Sequence, residues 1–142
     1  MEPWQQRFEE YMEDGELLAS ESEYKDAFSC FKNALGEVPG NASDHYEATR
    51  AVTAIADCYY FLGQYENAEK PLRDVLLLPD GAANPYIRLR RGQVFHHLGD
   101  AAAAAKEWTC AYLNGGDEVF EGETDCKTEI DEIVADLKDS GH

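Results

Sequence analysis

The chain has 142 residues, 44% hydrophobic and 29% charged, with 29 acids against 12 bases and a net charge of −17. This length and apolar content suit one domain with a buried core, not a disordered segment. A surface this negative repels phosphate backbones and anionic lipids, which argues against nucleic-acid and membrane partners and favours a basic protein.

The opening Met1-Glu2-Pro3-Trp4 has neither the basic start nor the apolar stretch of a secretory signal. Trp4, Phe8 and Tyr11 then fall at helical spacing and begin a first helix. Ser22-x-Tyr24-x-x-Ala27-x-x-x-Phe31-x-x-Ala34 follows, and Pro39 lies beyond the second helix, where it can no longer break it. The link over 39–48 is long, and Asp44-x-x-Glu47 there reads as a capping box. The first pattern returns 41 residues on as Gly63-x-Tyr65-x-x-Ala68-x-x-x-Leu72-x-x-Val75, and 36 residues later as Gly99-x-Ala101-x-x-Ala104-x-x-x-Trp108-x-x-Ala111. Pro71 follows Gly63 by eight residues and is expected in the first turns of its helix, where a missing donor costs least.

Twelve residues before each central alanine stands a small residue (Gly15, Ala56, Gly92), and nine before it an apolar one (Leu18, Tyr59, Phe95). The repeating unit is therefore two antiparallel helices whose closest crossing admits only small side chains. Phe31, Leu72 and Trp108 are expected to fill the space between neighbouring units, and Gly63 and Gly99 to end helices abruptly. The third unit closes on Gly115-Gly116 instead of proline. Beyond it, Ile130, Ile133, Val134 and Leu137 form the stripe of a last amphipathic helix, with Thr124 or Asp125 as its N-cap. That helix covers the apolar face a stack leaves at its end.

These columns resemble the tetratricopeptide repeat (TPR), with its small residue, aromatic, Ala-x-x-x-Phe and closing proline. The resemblance covers about residues 8–114 and departs at Ser22, where the other turns carry glycine, and at Arg88, where an apolar residue is usual. It implies an all-α protein: three helix-turn-helix repeats plus a C-terminal capping helix in a right-handed superhelical α-solenoid. The expected repeats span about 8–41, 46–82 and 85–116, with the capping helix over about 124–139, in a single domain of residues 1–142.

The resemblance further implies that the first helix of each pair lines a concave groove that contacts the partner. The matching positions are Glu9, Met12, Glu16 and Ala19 in unit one, Arg50, Thr53, Asp57 and Tyr60 in unit two, and Tyr86, Leu89, Gln93 and His96 in unit three. Aromatic and apolar anchors among carboxylates suit a protein interface better than a small-molecule pocket. Tyr60 also reads as a core residue. The family's carboxylate clamps use Lys and Arg in this groove; here only Arg50 is available, which makes an acidic tail a poor ligand.

Chemistry is expected to be absent. His96 and His97 are adjacent and diverge by about 100° on a helix, unlike a metal-binding i, i+4 pair. His45 and His142 have no ligand pattern nearby. Cys30, Cys58, Cys110 and Cys126 are widely spaced and read as buried hydrophobes or bystanders. Carboxylates such as Glu10, Glu13 and Asp14 read as a solvated helix face, and no catalytic or phosphate-binding fingerprint occurs. No metal, cofactor or enzymatic activity is expected. Arg88, Arg90 and Arg91 read either as internal partners of flanking acids or as a mildly basic segment.

The expected function is a non-catalytic, cytoplasmic protein-binding module that sequesters or inhibits a basic partner. In its sharpest form this is an immunity protein against a cognate toxin. The tail Gly116-Asp117-Glu118-Val119-Phe120-Glu121-Gly122-Glu123 is similar to an acidic stretch of small bacterial TPR proteins, some of them near toxin genes. The alternatives are a chaperone of a secreted effector, since type III secretion chaperones of the TPR class have similar size and acidity, or a generic scaffold subunit.

Overall fold

A computed structural model describes residues 1–141; His142, one of the histidines weighed above, lies outside them. The described residues form two compact units, one over Met1–Ala82 and the other from Ala83 onward. The first holds α1 (Pro3–Ser20), α2 (Tyr24–Glu37), α3 (Tyr46–Phe61) and α4 (Tyr65–Asp74). Short 3-10 turns lie at Ala42–Asp44 and Val75–Leu77. The second holds α5 (Pro85–His97), α6 (Ala101–Gly115), a 3-10 turn over Asp117–Phe120 and α7 (Lys127–Asp139). No strand occurs among the described residues, and the seven helices match the expected three hairpins and closing helix. No helix there is long and apolar enough to cross a membrane.

Each hairpin turns in the same way. After α1, the Glu23 N–H donates to the Leu18 carbonyl (2.9 Å) and the Ser22 N–H to that of Ala19 (3.0 Å). Gln64 to Tyr59 with Gly63 to Tyr60 repeats this after α3, as does Asp100 to Phe95 with Gly99 to His96 after α5. These paired bonds satisfy the orphan carbonyls of a helix end and require a left-handed residue in the middle. Gly63 (φ +74°) and Gly99 (φ +85°) take that conformation freely, whereas Ser22 is forced into it at φ +62°.

The small-residue column proves to hold an aromatic ring. A Cβ on Gly15 would lie 2.5 Å from Phe31, and one on Gly92 would lie 2.2 Å from the Trp108 indole nitrogen. Phe31 and Trp108 therefore pack onto the first helix of their own hairpin, which corrects the expectation that they fill space between units. The middle hairpin carries the complementary exchange, Ala56 with the smaller Leu72, both buried. Around these crossings, Phe8, Met12, Ala27, Ala34, Ala51, Ile55 and Cys58 make the core of the first unit. Leu89, Ala104, Ala111, Val119 and Ile130 surround Trp108 in the second, with Ile133 and Val134 against them.

Three local expectations change. Pro71 is the seventh residue of α4, one turn deeper than expected, so the Asn67 carbonyl loses its helical donor. The helix ends three residues later and tightens into the 3-10 turn at Val75–Leu77. Asp44 and Glu47 make no capping box, because Asp44 belongs to the preceding 3-10 turn and His45 becomes the N-cap of α3. α7 begins at Lys127 with Cys126 as N-cap, and neither Thr124 nor Asp125 caps it.

Three substitutions test the helices, turns and crossings described above. Gly92→Ala is expected to destabilise the chain by about 1–3 kcal/mol through the clash with Trp108. Gly36→Ala, inside α2 with nothing within 4 Å, should instead stabilise by about 0.5–1 kcal/mol; opposite shifts of the urea midpoint check this pair. Ser22→Gly relieves a left-handed strain of about 1–2 kcal/mol against a smaller glycine entropy loss, and should raise the thermal midpoint.

Candidate partner-binding surface

In the first unit, α1 and α3 are joined on one face by polar contacts. Arg50 of α3 donates from both terminal nitrogens to the Glu9 carboxylate of α1, the Nη2–Oε2 bond being 3.1 Å. Its guanidinium also lies 5.2 Å from the Phe8 ring centre. The hydrogen bond from Arg50 holds the Glu9 carboxyl below its ordinary value despite partial desolvation. Glu9, and after it Glu16, in turn stabilise the charge on Arg50. Gln5 Nε2 donates to Glu47 Oε2 at 3.1 Å across the same two helices. With Asp57 half-buried further along α3, this face carries four carboxylates and one arginine.

Gln5 and Glu47 are functional candidates that the groove columns missed. The signal was available, since they stand four residues before Glu9 and three before Arg50, on the same helical faces. Thr53 is half-buried and turns its hydroxyl to the Thr49 carbonyl of its own helix (2.7 Å). Ala19 is half-buried against the first core.

Four expected groove residues are not presented at all. Met12 (2% exposed) and Tyr60 (8%) are buried in the first unit, Leu89 (2%) and Gln93 (0%) in the second. Met12 is part of the Phe8–Phe31 core, and Tyr60 packs edge-on to Phe61 and Tyr65. Leu89 is covered by Val119 and Ile130 of the chain's own C-terminal segment. Gln93 accepts from Arg90 (2.7 Å) and donates to Glu123 and to the Asp125 carbonyl, both at 3.3 Å. The repeat columns fix which helical face a residue occupies, but a distant segment decides how deep it lies. His96 is half-buried, tilted against Trp108 and 3.9 Å from Glu129. Tyr86 stays 60% exposed beside the Asn84 cap of α5.

The arginine-rich segment resolves toward internal pairing. Arg88 and Arg91 share Glu107 at 3.2 and 3.3 Å, and Arg90 reaches Glu123 at 3.9 Å. Among the described residues, Lys25, Lys32 and Lys106 are the bases that make no ion pair, leaving the acid surplus outside. Lys32 stands at the rim of a cavity of about 270 Å³ between α2, α3 and α4, floored by Leu35, Val52, Ile55 and Tyr59. All four cysteines are free. Cys58 is buried as expected, and burial pushes its thiol up to about 12.

No protein-family model matches the chain, and no curated protein resembles it significantly. Solved structures do. The type III secretion translocator chaperone SycD of Yersinia enterocolitica, in an alternative dimer, superposes with a TM-score of 0.66 at 17% identity, covering 94% of this chain and 92% of that one. SycD in complex with a peptide of the translocator YopD gives 0.66 and 17%, covering 94% of each. A further SycD structure gives 0.64 and 14%, over 93% and 88%. At this identity the likeness establishes the fold: a TPR-type helical repeat.

The Glu9–Arg50 pair has a pH signature. A carboxyl held below its ordinary value of 4.5 contributes stability above that pH and loses it as the pH falls through the lowered value. Glu9→Gln should therefore lower the thermal midpoint modestly at pH 7, and the gap to the parent chain should close on acidification below pH 4.5.

Proposed function

We propose that this protein is a non-catalytic, cytoplasmic chaperone that holds an extended segment of a secreted protein against the α1–α3 face. The carrying observation is the agreement of fold over nearly the whole chain with a secretion chaperone, one structure of which contains a peptide of its translocator. The charge of the face selects the ligand. Glu9 is neutralised by Arg50, while Glu16, Glu47 and Asp57 add negative charge to the same face and attract lysine or arginine side chains. Arg50, already committed to Glu9, is a weak anchor for a carboxylate. Tyr46, 48% exposed at the start of α3, offers an aromatic contact beside it. In the second unit, Tyr86 is likewise exposed.

The competing reading, sequestration of a folded basic protein such as a toxin, is favoured by the net charge of −17. The SycD structures named above lend it no support. The two differ in the state of the partner: a chaperone recognises a short unfolded segment, an inhibitor a folded surface.

Selection of linear peptides from a random display library against the full chain distinguishes them. The chaperone reading expects enriched peptides rich in Lys and Arg, with affinity falling about ten-fold or more in the Glu16→Lys/Asp57→Lys double variant while far-UV circular dichroism stays unchanged. Failure to enrich any linear peptide, or binding indifferent to the double reversal, overturns it.

A further inference from the structure

The end of α5 and the start of α7 bring together three side chains that the proposed function does not use. His97 is the last residue of α5, and Asp125 and Cys126 immediately precede α7. One ligand atom from each lies within 4.8 Å of the other two. His97 Nε2 is 2.9 and 3.1 Å from the two Asp125 oxygens, and Cys126 Sγ is 3.6 Å from Asp125 Oδ1. Zinc bonds of about 2.0–2.3 Å place tetrahedral donors about 3.3–3.7 Å apart. The observed separations straddle that range, and small rotations of exposed or half-buried side chains close the difference.

We propose that His97, Asp125 and Cys126 form a zinc site, completed by water, that ties the C-terminal helix to the third hairpin. The imidazole, carboxylate and thiolate are each ordinary zinc donors. Cys126 packs partly against the Trp108 core, and its backbone is unusual. Cys126 holds a left-handed backbone, φ +62°, and caps α7 without any capping hydrogen bond from its side chain. Glycine or asparagine suits such a position better, because a Cβ there costs about 1–2 kcal/mol. The surroundings favour a cation as well: Glu129 acts on the same thiol, beside Asp125 itself. Both ends of the clamp belong to the second unit, so the proposal is independent of the peptide-binding reading.

The test is metal titration of the untagged full-length chain under reducing conditions, with Co²⁺ as a spectroscopic probe and Zn²⁺ as competitor. The expected result is one Co²⁺ per chain with the visible band of a tetrahedral thiolate complex, abolished by Zn²⁺, and a rise in thermal midpoint with Zn²⁺. Cys126→Ser and His97→Gln should each weaken Zn²⁺ binding by about ten-fold or more, while Cys30→Ser leaves it unchanged; circular dichroism confirms that the variants are folded. Absence of saturable one-to-one binding overturns the proposal, leaving His97 and Asp125 as an ion pair only. So does a Cys126→Ser chain that keeps the parent affinity and spectrum.

Discussion

The structure depends on two places where a helix backbone touches an aromatic ring. Gly15 beneath Phe31 and Gly92 beneath Trp108 bring the two helices of a hairpin so close that no Cβ fits between them. The Trp108 indole also donates to the Leu89 carbonyl at 3.2 Å, which orients the ring and fixes the rotation of α6 about α5. Close approach buries the flanking alanines Ala27, Ala34, Ala104 and Ala111 completely. Alanine contributes little apolar area, so the large rings supply most of the burial and the small residues supply the geometry that permits it.

With the hairpins fixed from within, surface chemistry is free to vary, and here it is almost wholly acidic. Nine of the twelve bases are engaged in ion pairs, the remainder being Lys25, Lys32 and Lys106. Most of these pairs are solvent-exposed and add little stability individually. Their combined effect is on recognition, because paired bases no longer offset the surrounding carboxylates at close range. The Arg88 and Arg91 pairs with Glu107 are better shielded, while the Glu9–Arg50 contact, doubly hydrogen-bonded and seated on Phe8, joins α1 to α3 and shapes the face proposed to receive a ligand.

Much of the fold was legible because repetition turns one ambiguous signal into three aligned ones. Gly15, Ala56 and Gly92 share a column, and so do Phe31, Leu72 and Trp108, and both columns land where close packing requires them. Even the odd residue Ser22 adopts the conformation its column demands. The candidate surface was less legible, for a physical reason. Whether Leu89 or Gln93 faces a ligand depends on Val119, Glu123 and Ile130, about thirty to forty residues away, and no local pattern encodes that pairing. The partner of Arg50 lies 41 residues upstream and was equally hidden. The cluster of His97, Asp125 and Cys126 was not legible from the His96-His97 pair because its other members sit in a different element. Local grammar misled at Asp44-x-x-Glu47, where a short 3-10 turn absorbed the first residue of an apparent cap.

The segment over Asp117–Asp125 has one more consequence. It seats Val119 on Leu89 and hands the Gln93 amide a carboxylate and a carbonyl, the kinds of group an incoming peptide would use. The third hairpin thus has this part of its surface already covered by its own chain. Any segment reaching Leu89 and Gln93 would first have to displace it.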